Sequence, residues 1–82
     1  MDKLFVIRKR DAEQLRLAES VEGSSVLLLQ DGVYLAGNVK AKAYASAADA
    51  ARRGVKLNSV APVDYAGIVS LLLEQGHTVV NL

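Results

Sequence analysis

The chain has 82 residues, of which 51% are hydrophobic, and its ten Lys and Arg residues are nearly balanced by nine Asp and Glu residues. This length predicts a single domain spanning residues 1–82, and a formal net charge of +1 provides no general attraction to nucleic acid or anionic lipid. With no cysteine and one histidine, the sequence excludes disulfides, thiolate metal sites and a cysteine nucleophile, and it argues against a histidine metal site.

The sequence shows no pattern typical of a secretion signal or a membrane span. Its first apolar stretch, residues 4–7, is short and is followed at once by Arg8, Lys9 and Arg10. The longest later apolar stretch, residues 68–73, is far below the ~20 residues of a membrane span. We therefore expect a cytoplasmic protein without membrane contact. Because so short a chain buries only about 60–65% of its surface, we also expect exposed apolar patches and an oligomer.

Two continuous apolar runs in the first half of the sequence predict strands at residues 4–7 and 25–30 that are covered on both faces. Between these strands, Asp11 can cap a helix over residues 12–21. The predicted inner stripe of this helix comprises Ala12, Leu15 and Ala18.

The second half continues the alternation of strand and helix. Residues 40–45 alternate between alanine and lysine or tyrosine, which predicts a strand with one wetter face, suited to a sheet edge. Ser46 and Asp49 resemble the capping box of a short helix that starts at residue 47, has Arg52 and Arg53 in its last turn and stops at Gly54. Asp64 caps an amphipathic helix, and residues 78–82 form a last strand. The apolar stripe of the amphipathic helix comprises Tyr65, Ile68, Val69, Leu72 and Leu73.

The alternation of strands and helices predicts an α/β fold with a mainly parallel sheet of four to five strands and helices on both faces. One segment is ambiguous, because Asp31 and Gly32 between two apolar runs also favour a β-hairpin. A parallel crossover needs about a dozen residues, and only residues 31–39 separate the two predicted strands. The pattern alone slightly favours the hairpin.

Three segments of the sequence together resemble those of a known family: VLLLQDGVYLAG at 26–37, KAYASAADAARRGV at 42–55 and VDYAGIVSLLLE at 63–74. In this order and spacing they resemble the TusB/DsrH family of sulfur-relay subunits. The resemblance implies a three-layer DsrEFH-like fold. It also favours a short helix at residues 33–36 over a hairpin arm at residues 33–37.

The resemblance further implies that the chain functions as one subunit of a protein complex. Such chains associate with paralogous DsrE/TusD-like and DsrF/TusC-like subunits that pass persulfide sulfur along a relay, toward 2-thiolation of the wobble uridine of tRNA or in sulfur oxidation. Some family members carry a cysteine in the first helix, where this chain has Leu17. The chain also departs from the family in a trimmed connection at residues 37–39 and in Val80 and Asn81, where many members have Trp.

Seven residues are candidates for a subunit interface. Gln30, Asp31 and Gly32 follow a central strand, at the edge where open α/β sheets bind ligands, although a helix cap and a permissive glycine would explain the same residues. The other candidates are Tyr34, Asp64, Tyr65 and Leu71. A tyrosine suits an interface or the edge of a core equally. Leu71 lies off the predicted stripe, where either a partner or a neighbouring loop would cover it.

Arg8, Lys9 and Arg10 follow the first strand and are a candidate contact for an anion or an acidic partner, with a solvated loop as the simpler interpretation. The helix dipole already explains Arg52 and Arg53, and His77 is expected at the surface. The sequence offers no catalytic residues, metal ligands or cofactor-binding motif that can be assembled into a site.

We therefore expect a non-catalytic, TusB/DsrH-like subunit of a persulfide-transfer complex, without a cofactor and without direct nucleic-acid binding. The alternative is a self-associating structural or regulatory α/β domain that has left the relay. A third hypothesis, an enzyme that uses carboxylates such as Asp31 and Asp64, lacks partner groups in the sequence.

Overall fold

A computed structural model describes residues 2–73 and 76–82. The strands of these residues are β1 (Asp2–Ile7), β2 (Ser25–Leu28), β3 (Lys42–Ser46), β4 (Ala61–Val63) and β5 (His77–Asn81). They form one sheet in the order β4-β3-β2-β1-β5, and every neighbouring pair is parallel. The helices are α1 (Ala12–Glu19), a 3₁₀ helix (Gln30–Asn38), α2 (Ala47–Arg53) and α3 (Tyr65–Leu73). The predicted α/β fold with a parallel sheet is confirmed.

Helices cover both faces of the sheet and give the fold three layers. On one face, Phe5 and Ile7 belong to a core that includes residues of α1, the 3₁₀ helix and α2. On the opposite face, Leu4 and Val6 pack against α3. Because successive side chains of a strand point to opposite faces, β1 is buried on both sides, as its continuous apolar run predicts.

The first helix begins as the sequence predicts. The Asp11 carboxylate accepts a hydrogen bond from the amide of Glu13 at 3.0 Å, which satisfies an unpaired donor of the first turn. The buried residues of this helix are Leu15 and Ala18. Ala12, expected on the same stripe, is exposed, and the helix ends at Glu19, before the predicted residue 21.

Residues 30–38 form a 3₁₀ helix, so the hairpin favoured by the local pattern is wrong and the helix implied by the family resemblance is confirmed. Strand β2 ends at Leu28 and β3 begins at Lys42, which leaves residues 29–41 for the parallel crossover. With about three residues per turn, Val33 and Ala36 fall on one line, and both are buried. The helix is longer than the predicted residues 33–36.

The expectation about the sheet edge is wrong. Strand β3 lies inside the sheet, between β2 and β4, although its lysines suggest an edge. The edge strand beyond β3 is β4, which was not predicted, because a segment of three residues that contains Pro62 lacks the usual signal of a strand. Proline is tolerated there because β4 pairs on one side only, with β3.

Helix α3 faces the sheet with only part of its predicted stripe. Ile68, Leu71 and Leu72 pack against the core, whereas Tyr65 and Leu73 are 81% and 76% exposed. Leu71, expected off the inner stripe and covered by either a partner or a neighbouring loop, instead packs against the core together with Ile68 and Leu72. The end of this helix before Gly76 lies outside the described residues. Within residues 2–73 and 76–82, no helix has the length and apolar character needed to cross a bilayer.

Candidate partner-binding site at the carboxyl edge of the sheet

The carboxyl ends of β2, β3 and β4 surround a cleft of about 320 Å³. The residues that line it include Leu29, Gln30, Ser46, Asp49, Asp64 and Tyr65. Three of the predicted interface residues, Gln30, Asp64 and Tyr65, are thus brought together by the fold. This placement follows from the parallel sheet, in which strands that are distant in sequence end at the same edge.

The turn that leads from β2 into the 3₁₀ helix has an unusual backbone. Gln30 adopts a left-handed conformation with φ of 51°, which costs a non-glycine residue about 1–2 kcal/mol. Its amide donates a hydrogen bond to Oδ2 of Asp49 in α2 at 2.8 Å. Because Gln30 begins the 3₁₀ helix and Asp49 belongs to α2, this hydrogen bond holds these two elements together beside the cleft.

Asp49 and Arg53 form the centre of a polar network beside this turn. The Arg53 guanidinium donates to Oδ1 of Asp31 at 2.9 Å and to the backbone carbonyl of Asp49 at 3.2 Å. The Asp49 amide in turn donates to the Ser46 hydroxyl at 3.2 Å, which confirms the predicted helix cap. Asp31 therefore connects the 3₁₀ helix to α2 and is not among the residues that line the cleft.

Sequence reasoning missed these roles of Asp49 and Arg53. The sequence pairs Asp49 with Ser46 in a capping box and explains Arg53 by the helix dipole; the Asp49 amide does bond to the Ser46 hydroxyl, and Arg53 lies in the last turn. Their partners Gln30 and Asp31 lie 19 and 22 residues away in the sequence, so no local sequence pattern predicts these contacts.

Gly32 has a structural role, in agreement with the simpler of its two interpretations. A Cβ atom at this position would lie 2.1 Å from the carbonyl oxygen of Ile7, at the end of β1. The 3₁₀ helix can approach the end of β1 only because residue 32 has no side chain. Gly32 is buried, so we do not assign it to an interface.

Asp64 and Tyr65 form the outer wall of the cleft. The Asp64 carboxylate accepts a hydrogen bond from the amide of Gly67 at 2.8 Å and so caps α3, as predicted. Tyr65 begins the helix and is 81% exposed, which is unusual for so large an apolar ring. This ring is the most exposed large hydrophobic side chain among the described residues.

The candidate cationic residues, Arg8, Lys9 and Arg10, follow β1 and therefore lie at the carboxyl edge of the sheet too, beside β1 and β5. Arg8 donates to the side-chain oxygen of Asn81 at 2.9 Å and so joins the ends of β1 and β5. The Arg10 guanidinium lies 4.8 Å from the centre of the Tyr34 ring, a cation–π contact. Lys9 is exposed. Tyr34 is 38% exposed and lies beside the cationic residues. It does not line the cleft.

A second depression, of about 270 Å³, lies at the opposite edge, where the strands begin. Its lining includes Asp2, Lys42, Tyr44, Leu71 and His77. Nε2 of His77 lies 2.7 Å from the carbonyl oxygen of Leu71. Across the described residues, no group of three or more His, Asp or Glu side chains is arranged to hold a metal ion.

One protein-family model matches this sequence. It is described as DsrH like protein, and the match covers residues 9–78, from the loop after β1 into β5. The match includes all of the cleft and all four helices. No curated protein matches the chain.

Proposed function

The chain belongs to the DsrH family, and we propose that it is a non-catalytic subunit of a sulfur-relay complex whose persulfide-carrying cysteine lies on another chain. Members of this family generally belong to multi-subunit sulfur relays. The proposed partners are the paralogous DsrE/TusD-like and DsrF/TusC-like subunits. The proposed pathway is 2-thiolation of the wobble uridine of tRNA, with the RNA bound by other subunits.

The observation that carries this proposal is a family match in a chain without cysteine. Persulfide transfer requires a thiolate, which attacks the sulfur of the preceding carrier. The position of the first-helix cysteine of some relatives is occupied by Leu17, which is 56% exposed on α1. A leucine there cannot carry sulfur.

The cleft at the carboxyl edge is the proposed partner-binding surface. Helix α3 has no charged residue between Tyr65 and Leu73, and both of these end residues are more than three-quarters exposed. A helix that is apolar on all sides is usually buried, so its outer side suits contact with another protein. We assign Gln30, Asp64 and Tyr65 to this surface, with Tyr65 as its central side chain.

Asp31 and Asp64, the two carboxylates of the catalytic hypothesis, do not support an enzyme. Asp31 is held by Arg53 at 2.9 Å, and Asp64 caps α3. Both of the carboxylates on which a catalytic hypothesis relied therefore have structural partners.

The proposal is tested by co-expression with DsrE- and DsrF-like chains from the same genome. We expect the three chains to purify together, and we expect Tyr65→Ser to weaken the association by about 30-fold, the effect of losing a central interface tyrosine. Leu17→Ser is the control, because it removes an apolar side chain that is also exposed, at 56% against 81% for Tyr65, from a helix outside the proposed surface.

Purification of this chain without either paralog, under conditions in which the two paralogs bind each other, would refute the relay assignment. A stable homo-oligomer without affinity for a paralog would instead support the alternative, a self-associating structural or regulatory domain.

A further inference from the structure

The arginines of the chain differ in how their charges are balanced. Three of them form an ion pair with an Asp or Glu side chain: Arg16, Arg52 and Arg53. Arg8 and Arg10 form no ion pair with any residue that the structure describes, and neither does Lys9 between them. We call residues 8–10 the cationic loop. Within the described part of the chain, its charge is therefore not balanced by a carboxylate.

Neutral groups nevertheless hold the two unpaired arginines in place. Nη1 of Arg8 donates a hydrogen bond of 2.9 Å to the side-chain oxygen of Asn81, and the Arg10 guanidinium lies 4.8 Å from the centre of the Tyr34 ring. An amide oxygen and an aromatic face orient a guanidinium without cancelling its charge. These contacts leave most N–H donors of both guanidinium groups without a partner among the described residues.

The carboxylate next to the loop in the sequence, that of Asp11, is already engaged. It accepts hydrogen bonds from the amides of Glu13 and Gln14 at 3.0 and 3.4 Å, as the cap of α1. Residues 8–11 thus carry three positive charges against one negative charge, in a chain whose net charge is +1. Positive charge is therefore concentrated where β1 ends, at the carboxyl edge of the sheet.

We propose that the cationic loop binds an acidic segment of a partner protein, whose Asp or Glu carboxylates pair with the guanidinium groups of Arg8 and Arg10. A guanidinium presents a planar fork of donors that matches a carboxylate. Because both forks are oriented before the partner arrives, less side-chain freedom is lost on binding. Lys9 is exposed and adds an attraction without a fixed geometry. This inference goes beyond the sulfur-relay assignment and does not depend on the Tyr65 cleft.

The make-up of the patch favours an acidic peptide over RNA. Single-stranded nucleic acid is usually held in a long cationic groove with aromatic side chains on which bases stack. Tyr34, the aromatic residue in contact with the loop, has the Arg10 guanidinium over its ring, so this face of the ring is closed to a base. Arg52 and Arg53 lie 3.7 Å from the Asp49 carboxylate and so do not extend the patch as unpaired cations.

A titration of the purified chain followed by nuclear magnetic resonance tests the proposal, because this method detects weak binding and locates it. The probe is a hexaglutamate peptide. We expect the side-chain Nε–H signals of Arg8 and Arg10 to shift as peptide is added. The signal of Arg16 should stay in place, because this arginine is paired with Glu13. A roughly tenfold rise in salt concentration should weaken binding at least about fivefold, since exposed charges are screened.

Two double variants separate the loop from the general charge of the chain. Arg8→Gln with Arg10→Gln should lower the affinity for hexaglutamate at least about fivefold. Lys40→Gln with Lys42→Gln is the matched control, because it removes two charges elsewhere and Lys42 also lies over an aromatic ring, 5.8 Å from the centre of Tyr44. This control should change the affinity less than about twofold. Circular dichroism shows whether each variant has folded.

Unchanged Arg8 and Arg10 signals at millimolar peptide would overturn the proposal, as would equal losses of affinity in the two double variants. Hexauridylate is the competing probe. Tighter binding of hexauridylate than of hexaglutamate at this loop would overturn the proposal in favour of an RNA contact. The titration uses the purified chain and defined probes, so its failure would leave the association with paralogs through Tyr65 unaffected. Loss of that association would likewise not alter the titration.

Discussion

The amide of Gln30 donates a hydrogen bond of 2.8 Å to the carboxylate of Asp49, and this contact joins the start of the 3₁₀ helix to α2. Gln30 has a left-handed backbone that opposes its own preference, so an external partner has to hold it in place. Asp49 is well placed for this role, because its carboxylate is only 16% exposed and is itself flanked by two arginines.

We expect Asp49→Ala to lower the free energy of unfolding by about 1–2 kcal/mol, because it removes the acceptor for Gln30 and a carboxylate that lies 3.7 Å from the Arg53 guanidinium. Asp31→Ala is the control. The Asp31 side chain is 61% exposed, so the loss of its ion pair should cost about 0.5 kcal/mol or less. Urea denaturation measures both values, and equal costs would contradict the central role of Asp49.

Gly32→Ala should be the more damaging of two glycine substitutions in the 3₁₀ helix. The new Cβ would lie 2.1 Å from the carbonyl oxygen of Ile7, so the backbone has to move, at a cost of about 3 kcal/mol or more. The matched control is Gly37→Ala, where the Cβ would meet no atom within 4 Å and stability should stay within about 1 kcal/mol. Thermal unfolding of the two variants distinguishes them, and similar melting temperatures would argue against the close approach.

Glu19 at the end of α1 holds the loop that precedes β3, although its place in the sequence suggests a solvent-facing residue. Its Oε2 accepts hydrogen bonds from the amides of Lys40 and Ala41, the latter at 2.9 Å. We expect Glu19→Ala to cost about 1–3 kcal/mol, because two amides lose a charged acceptor. Glu13→Ala, which loses only an exposed ion pair on the same helix, should cost less than about 0.5 kcal/mol in the same urea titration.

The two leucines of α3 should respond in opposite order to the sequence-based expectation. Leu71→Ala removes a half-buried core contact and should cost about 1–2 kcal/mol, below the ~2–5 kcal/mol of a fully buried leucine. Leu73→Ala changes a side chain that is 76% exposed and should cost about 0.5 kcal/mol or less. A larger loss of stability for Leu73→Ala would show that α3 faces the sheet with its predicted stripe.

Features that depend on a few adjacent residues were predictable from the sequence. Asp11, Ser46 and Asp64 cap their helices as predicted, because a cap is defined within one helical turn. The buried strand β1 was predictable because an apolar run excludes a solvated face. The carboxyl-edge rule likewise placed Gln30 at the end of β2, whereas Asp64 and Tyr65 reach the same cleft through β4, which was not predicted.

Features that depend on pairing or packing were not predictable. Strand β4 exists because β3 provides a neighbour, and its own residues favour a loop. The apolar residues of α3 are so numerous that several stripes satisfy the helical period, and only the shape of the sheet surface selects Ile68, Leu71 and Leu72. The contacts of Asp49 and Arg53 depend in the same way on the packing of the 3₁₀ helix against α2.

The place of β1 in the sheet has a consequence for biosynthesis. β1 lies between β2 and β5. The ribosome synthesises β2 soon after β1, but it synthesises β5 about seventy residues after β1. While the chain is still on the ribosome, β1 has an unpaired side until His77–Asn81 have emerged. Such a long delay slows sheet closure and leaves the nascent chain prone to aggregation until its synthesis has passed β5.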